Sequence, residues 1–91
     1  GGSRPLPPRL AREVARARGV EVVQVVEGSP ADRARIRPED LILDVDGRPV
    51  EGVDDLQRLM AGEVIGRPVP VRLYRDGRVL TLEVVPVELP A

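Results

Sequence analysis

The chain has 91 residues, with 14 basic residues that are all arginine, 15 acidic residues and a net charge of −1. A chain of this length holds one domain around one hydrophobic core. Histidine, cysteine and lysine are absent, which excludes imidazole and thiolate catalysis, the usual zinc ligands and Schiff-base chemistry, and leaves only carboxylate chemistry to an enzyme.

The first predicted element is a helix over residues 9–18. Two prolines stand at its start, where proline is tolerated. Leu10, Val14 and Ala17 recur at helical spacing, and Gly19 is predicted to cap the end. The opposite face of this helix carries arginines.

A strand and a short helix are predicted next. Residues 20–26 are almost wholly apolar, which is typical of a central strand covered on both faces. Ser29 is predicted to be an N-cap, with Pro30 at the first helical position. Asp32 follows the serine by three residues, a near match to a capping box.

The next segment predicts a tight hairpin. Residues 41–45 form a compact apolar strand, and Asp46 with Gly47 is the signal for a two-residue type I′ turn. Residues 48–50 are predicted to be the partner strand. It should lie at an edge, because Pro49 cannot donate to a ladder.

The last elements are a helix and a closing hairpin. The helix is predicted over residues 53–61, with acidic residues in its first turn and Gly62 near its end. Strands at 69–74 and 80–85 alternate in polarity around a second aspartate-glycine turn. These elements predict a strand-rich α+β domain with five or six strands and two or three helices.

Several short motifs follow one another in a fixed order within residues 20–87. They are Glu27-Gly28-Ser29-Pro30-Ala31, Arg37-Pro38-Glu39-Asp40-Leu41-Ile42, Val45-Asp46-Gly47-Arg48-Pro49-Val50, Asp55-Leu56 and Leu73-Tyr74-Arg75-Asp76-Gly77. Together they resemble a PDZ domain, in particular the PDZ domains of HtrA-family, trypsin-like serine proteases. The resemblance implies a partly open β-barrel or sandwich of five to six strands, flanked by two or three helices.

The resemblance implies a single domain over residues 1–91. Residues 1–19 would be an edge segment and a basic helix, residues 20–87 the PDZ core, and residues 88–91 a tail. PDZ domains of this type bind a peptide carboxylate with an apolar-Leu-Gly-apolar loop, a sequence that this chain lacks. The resemblance places that loop upstream of the first residue, unless residues 1–3 are a linker.

Two residues stand where the family usually has glycine. They are Arg35 and Glu39. If the backbone there needs a positive φ, each side chain costs about 1 to 2 kcal/mol. This departure concerns the local loop geometry and leaves the predicted fold unchanged.

The resemblance also implies a function. A PDZ domain adds an extended peptide to a strand edge, beside a helix that lines the groove. The chain is therefore expected to be a non-catalytic module that captures apolar C-termini or exposed segments of unfolded polypeptides. The expected peptide-binding residues are Gly2, Ser3, Arg4 and Leu6 on the edge and Val53, Gln57 and Met60 on the helix.

The expected partners are such peptides and the protease domain of the parent protein, in the periplasm or another extracytoplasmic space. No cofactor, metal site, nucleic-acid partner or direct membrane insertion is expected. Three other functions stay open: a structural, oligomerisation or docking domain with an empty groove; a PDZ insert of another membrane-associated protease or a secretion component; and a small carboxylate-dependent enzyme.

Three local patterns have two interpretations each. By spacing alone Met60 is a core residue, and only the PDZ resemblance makes it a pocket residue. The Asp44-Val45-Asp46-Gly47 run starts like a calcium loop but lacks the later ligands, which favours a plain turn. Residues 1–19 carry a net +4 against −5 for the remainder. This basic segment could meet anionic lipid or nucleic acid, although docking on acidic neighbours is favoured.

Overall fold

The computed structural model describes residues 2–61 and 64–87. Its strands and helices are listed here in chain order: β1 Ser3–Pro5, α1 Pro8–Val14, β2 Arg18–Glu21, α2 Pro30–Arg33, β3 Leu41–Val45, β4 Arg48–Pro49, α3 Val53–Leu59, β5 Val69–Arg75 and β6 Arg78–Val84. The strands form one open antiparallel sheet in the order β1-β2-β3-β5-β6, with β4 paired to β3. The predicted α+β class is confirmed.

The sheet is covered by helices on both faces. On one face α1 packs through Leu10 against Leu41 and Leu43 of β3. On the other face lies the main core, which includes the fully buried residues Val45 and Leu73 and is covered by α2 and α3. The β3–β5 pairing contains a bulge between residues 42 and 44. The bulge shifts the alternation of side chains along β3, so that both Ile42 and Val45 face the main core.

The local signals for caps and turns are confirmed. The Asp32 N–H donates to Ser29 Oγ at 3.2 Å, and the Asp32 carboxylate accepts the Gly28 N–H at 2.8 Å. Asp46 and Gly47 have φ values of 53° and 77°, as a type I′ turn requires. The turn between β5 and β6 follows the same pattern.

The first helix is shorter than predicted. It ends at Val14, where Ala15 takes a left-handed conformation with φ of 57°. Gly19 is therefore wrong as a helix cap, since it lies inside β2. A Cβ at Gly19 would lie 2.9 Å from the Ile42 carbonyl oxygen and 3.1 Å from a Leu6 methyl carbon. The glycine is needed for close packing of the backbone.

The strand predicted over residues 20–26 is also shorter. The β2 ladder ends at Glu21, and beyond it the side chains of Val23 and Val26 are 60% and 65% exposed. The prediction that both faces are covered is therefore wrong for this end of the segment. The helix predicted over 53–61 ends at Leu59, with Met60 as its C-cap, and Gly62 lies outside the described residues.

The two residues at glycine-like positions adopt the strained conformation. Arg35 has φ of 68° and Glu39 has φ of 78°. Each side chain therefore costs about 1 to 2 kcal/mol relative to a relaxed backbone. The surrounding contacts must stabilise residues 35–39 against this cost.

We expect Gly19→Ala to destabilise the domain by about 1 to 3 kcal/mol, because the new methyl group would overpack the contact between β2 and β3. Gly2→Ala is the matched control, since a Cβ there meets nothing within 4 Å. Urea unfolding followed by circular dichroism measures both. Equal midpoints for the two variants would contradict the packing argument.

Candidate functional site

An apolar groove lies between residues 20–24 and helix α3. Its volume is about 420 Å³, and all but two of the residues that line it are apolar. Val53, Leu56 and Met60 form the helix wall, and Val22 lies on the strand side. A mostly apolar cleft of this size is typical of a ligand site.

The strand side of the groove offers an open backbone edge. The Glu21 N–H donates to the Gly2 carbonyl at 3.0 Å, whereas both backbone polar groups of Val22 bond towards β3, to Glu39 and Asp40. By strand alternation, the N–H and C=O of Val23 point to the same side as those of Glu21. Among bonds between described residues none uses the Val23 backbone.

The outer edge of β1 is a poorer template. Even-numbered residues of β1 bond to β2, which leaves the polar groups of Ser3 and Pro5 on the outer edge. Pro5 has no N–H to donate. The Ser3 carbonyl already accepts a hydrogen bond from the Arg18 guanidinium at 3.1 Å.

The helix residues of the predicted site lie at or beside the groove. Val53 and Met60 line it, and Gln57 is exposed one residue from Leu56. Leu56 also lines the groove, although it is not among the residues that the sequence predicts for the site. Its spacing of three from Val53 and four from Met60 is the signal that could have assigned it to the wall.

The edge residues of the predicted site lie apart from the helix. Leu6 is 7% exposed and packs in the core beneath α1. Arg4 forms an ion pair with Glu21, and the Ser3 hydroxyl accepts from Arg18. Gly2 alone lies beside the open edge, through its bond to Glu21. Direct ligand contacts by these four residues stay a prediction.

A second cavity, of about 610 Å³, lies near the β5–β6 turn and is lined largely by charged and proline side chains. Asp40, 2% exposed, forms its back wall. Its carboxylate accepts two hydrogen bonds from Arg75, at 2.8 and 2.7 Å, and one from the Arg37 N–H at 2.8 Å. Asp40 and Arg75 thus satisfy each other and are not available to a ligand, which favours the apolar groove as the ligand site.

These contacts set the ionisation of Asp40. Burial alone would raise the pKa of its carboxyl group, but the hydrogen bond and charge of Arg75 and the Arg37 N–H together hold the pKa below its usual value. The same hydrogen bond raises the pKa of Arg75, against the opposing effect of burial. Both groups are therefore charged at neutral pH.

Asp44 is a second buried carboxylate. It belongs to the run that starts like a calcium loop, and it contacts the basic segment of residues 1–19. Asp44 is 8% exposed and forms ion pairs with Arg16 and with Arg72. The turn that follows it joins β3 to β4. The basic segment therefore docks internally through Arg16, while the arginines of α1, Arg9 and Arg12, are exposed.

Within residues 2–61 and 64–87, no cluster of three acidic side chains could hold a metal ion. None of the helices in this part of the chain has the length and hydropathy of a membrane span.

Comparison with known proteins matches residues 8–85 to the family model described as PDZ domain. A probable periplasmic serine endoprotease, DegP-like, of Chlamydia muridarum is 32% identical over 73 residues, which cover 80% of this chain and 15% of that protein. The magnetosome formation protease MamE of Magnetospirillum gryphiswaldense is 39% identical over 83 residues, which cover 89% of this chain and 11% of that protein. The chain thus spans a small part of these relatives.

A solved structure has the same fold. The crystal structure of the HtrA3 PDZ domain bound to a phage-derived ligand (FGRWV) superposes with a TM-score of 0.68 at 25% identity. The match covers 92% of this chain and 79% of that one.

We expect Asp40→Asn to lower the free energy of unfolding by about 2 kcal/mol at pH 7, because hydrogen bonds to a buried charge are lost. Since the pKa of Asp40 is lowered by folding, its stabilisation is present above the unfolded pKa of about 3.9 and disappears as the pH falls through the folded pKa. The gap between wild type and variant should therefore shrink below about pH 4.

Urea midpoints between pH 7 and pH 2.5 measure this gap. Asp46→Asn is the control, because it removes a carboxylate from an exposed turn and should change stability at pH 7 by less than about 0.5 kcal/mol. A gap that stays constant down to pH 2.5 would show that the Asp40 charge does not stabilise the fold.

Proposed function

The chain belongs to the PDZ domain family, and on that premise we propose that its apolar groove binds an extended apolar segment of another polypeptide by strand addition. The observation that carries the proposal is the apolar groove between residues 20–24 and the wall of α3. Strand addition needs both an unpaired backbone edge and pockets for alternate side chains.

The groove suits varied aliphatic side chains. A peptide paired with Val23 would direct every second side chain towards Leu56 and Met60. The unbranched thioether of Met60 adapts to side chains of different shape. We assign the wall to Val53, Leu56 and Met60 and the solvent-facing rim to Gln57.

We further propose that the domain is a non-catalytic capture module of a larger HtrA-like serine protease in the periplasm or another extracytoplasmic space. Two similar proteins are named proteases, and one of them is named periplasmic. The HtrA3 PDZ domain binds a pentapeptide ligand. A separate catalytic domain would then act on the polypeptides that this groove captures.

A titration with short peptides tests the proposal. The probe is an apolar pentapeptide that ends in valine, added as the free acid and as the C-terminal amide while backbone amide shifts are recorded. We expect the largest shifts at Val22, Val23, Val53 and Met60. A preference for the free acid that appears only in a chain lengthened at its N-terminus would place the carboxylate site upstream of Gly1.

Met60→Glu is the matching variant, and we expect it to weaken binding at least about tenfold, because it places a charge without a partner in an apolar wall. Val79→Glu is the control, since Val79 lies on β6, is 41% exposed and is not among the residues that line the groove. It should bind like the wild type.

The possible outcomes separate the candidate functions. Binding of wild type and Val79→Glu with loss in Met60→Glu supports capture in this groove. If no amide along residues 20–24 or α3 moves at millimolar peptide, in either chain length, the capture function fails and a structural or docking role replaces it.

A further inference from the structure

The loop formed by residues 35–40 connects the groove to a buried ion pair. In this pair, the Asp40 carboxylate of the loop accepts hydrogen bonds from two N–H groups of Arg75, at 2.8 and 2.7 Å. The Arg75 Nη2 also donates to the Arg35 carbonyl at 2.9 Å, and the Arg37 N–H donates to Asp40 at 2.8 Å. Arg75 therefore fixes both ends of the loop to the end of β5.

The same loop holds the strand side of the groove. The Glu39 N–H donates to the Val22 carbonyl at 2.6 Å, and the Val22 N–H donates to the Asp40 carbonyl at 2.9 Å. Val22 lines the groove, and so does Ile36, the residue between Arg35 and Arg37. Two groove residues thus depend on the loop for their position.

The loop does not hold this conformation by its own preference. Arg35 and Glu39 both have positive φ, which side chains other than glycine disfavour. The Arg35 carbonyl accepts a hydrogen bond from Arg75, and the Glu39 N–H donates one to the Val22 carbonyl. Without an external contact, the loop would relax towards other conformations.

We propose that Arg75 is a positioning residue for the groove: through Asp40 and the loop it holds Val22 and Ile36 where a ligand strand can add. This inference rests on the proposed capture function, whose site it deepens. Arg75 lies outside the residues that line the groove and exposes 15% of its side chain. Its effect on binding is therefore indirect.

The chain contains a matched control for the loss of such an ion pair. Arg72 is also on β5 and pairs with Asp44, another buried carboxylate. Asp44 also pairs with Arg16, which lies two residues after the end of α1. Neither Asp44 nor Arg72 lines the groove. Arg75→Gln and Arg72→Gln remove the same chemical group from the same strand, but only the first acts on the loop.

The experiment compares both variants with the wild type in the complete chain, using the valine-terminated pentapeptide. We expect Arg75→Gln to weaken binding about tenfold among folded molecules and Arg72→Gln to change it by less than about twofold. Hydrogen exchange should show loss of protection at the Val22 and Glu39 amides in Arg75→Gln only. The Glu21 amide, which is bonded to Gly2, serves as the internal reference.

Each outcome decides the inference. Equal affinity for Arg75→Gln and wild type, or an equal loss in both variants, would overturn it. If Arg75→Gln does not fold, Arg75→Lys, which keeps the charge and loses the paired hydrogen bonds, should show the same pattern more weakly, and unchanged binding and exchange there would also overturn it.

Failure of the capture function gives a different result. If the wild type binds no peptide, the proposed function fails. The exchange rates of Val22 and Glu39 then still report whether Arg75 holds the strand, and unchanged rates would overturn the positioning role as well.

Discussion

A buried carboxylate must be paired, and the pairing of Asp40 with Arg75 determines where the loop of residues 35–40 lies. The pair joins the start of β3 to the end of β5 and compensates for two residues with positive φ. The loop in turn bonds both the N–H and the carbonyl group of Val22. The shape of the groove is thus set by a charged contact on the far side of the loop, not by the apolar residues that a ligand would touch.

Scaffold and ligand surface are supplied largely by different parts of the chain. Most of the motifs that identify the PDZ fold form caps, turns and the Asp40–Arg75 pair. The groove is built mainly from apolar residues of α3 and of residues 20–24, and the motif residues that line it are Ala31, Ile42 and Leu56. A second buried carboxylate, Asp44, anchors the basic N-terminal segment to the opposite face of the sheet through Arg16. The charge asymmetry along the sequence is therefore partly neutralised inside the fold.

The elements that the sequence predicts correctly are those that depend on interactions between neighbouring residues. The Ser29 cap and the turn at Asp46 depend on a few neighbouring residues, and both are found as predicted. Gly19 was misassigned because its requirement comes from the Ile42 backbone, 23 positions away in sequence. Leu56 was not predicted as a wall residue for a similar reason: only packing against the sheet decides which side of an apolar helix face borders the groove.

The central claim is that an apolar peptide adds as a strand beside Val23 and packs on α3. Intermolecular nuclear Overhauser effects between an isotope-labelled domain and an unlabelled valine-terminated pentapeptide test it most directly. The account predicts contacts from the peptide to the Met60 methyl group and to the Val53 and Leu56 side chains, with backbone contacts at Val23. Contacts confined to the charged cavity beside Tyr74 and Asp76, or to the outer edge of β1, would contradict it.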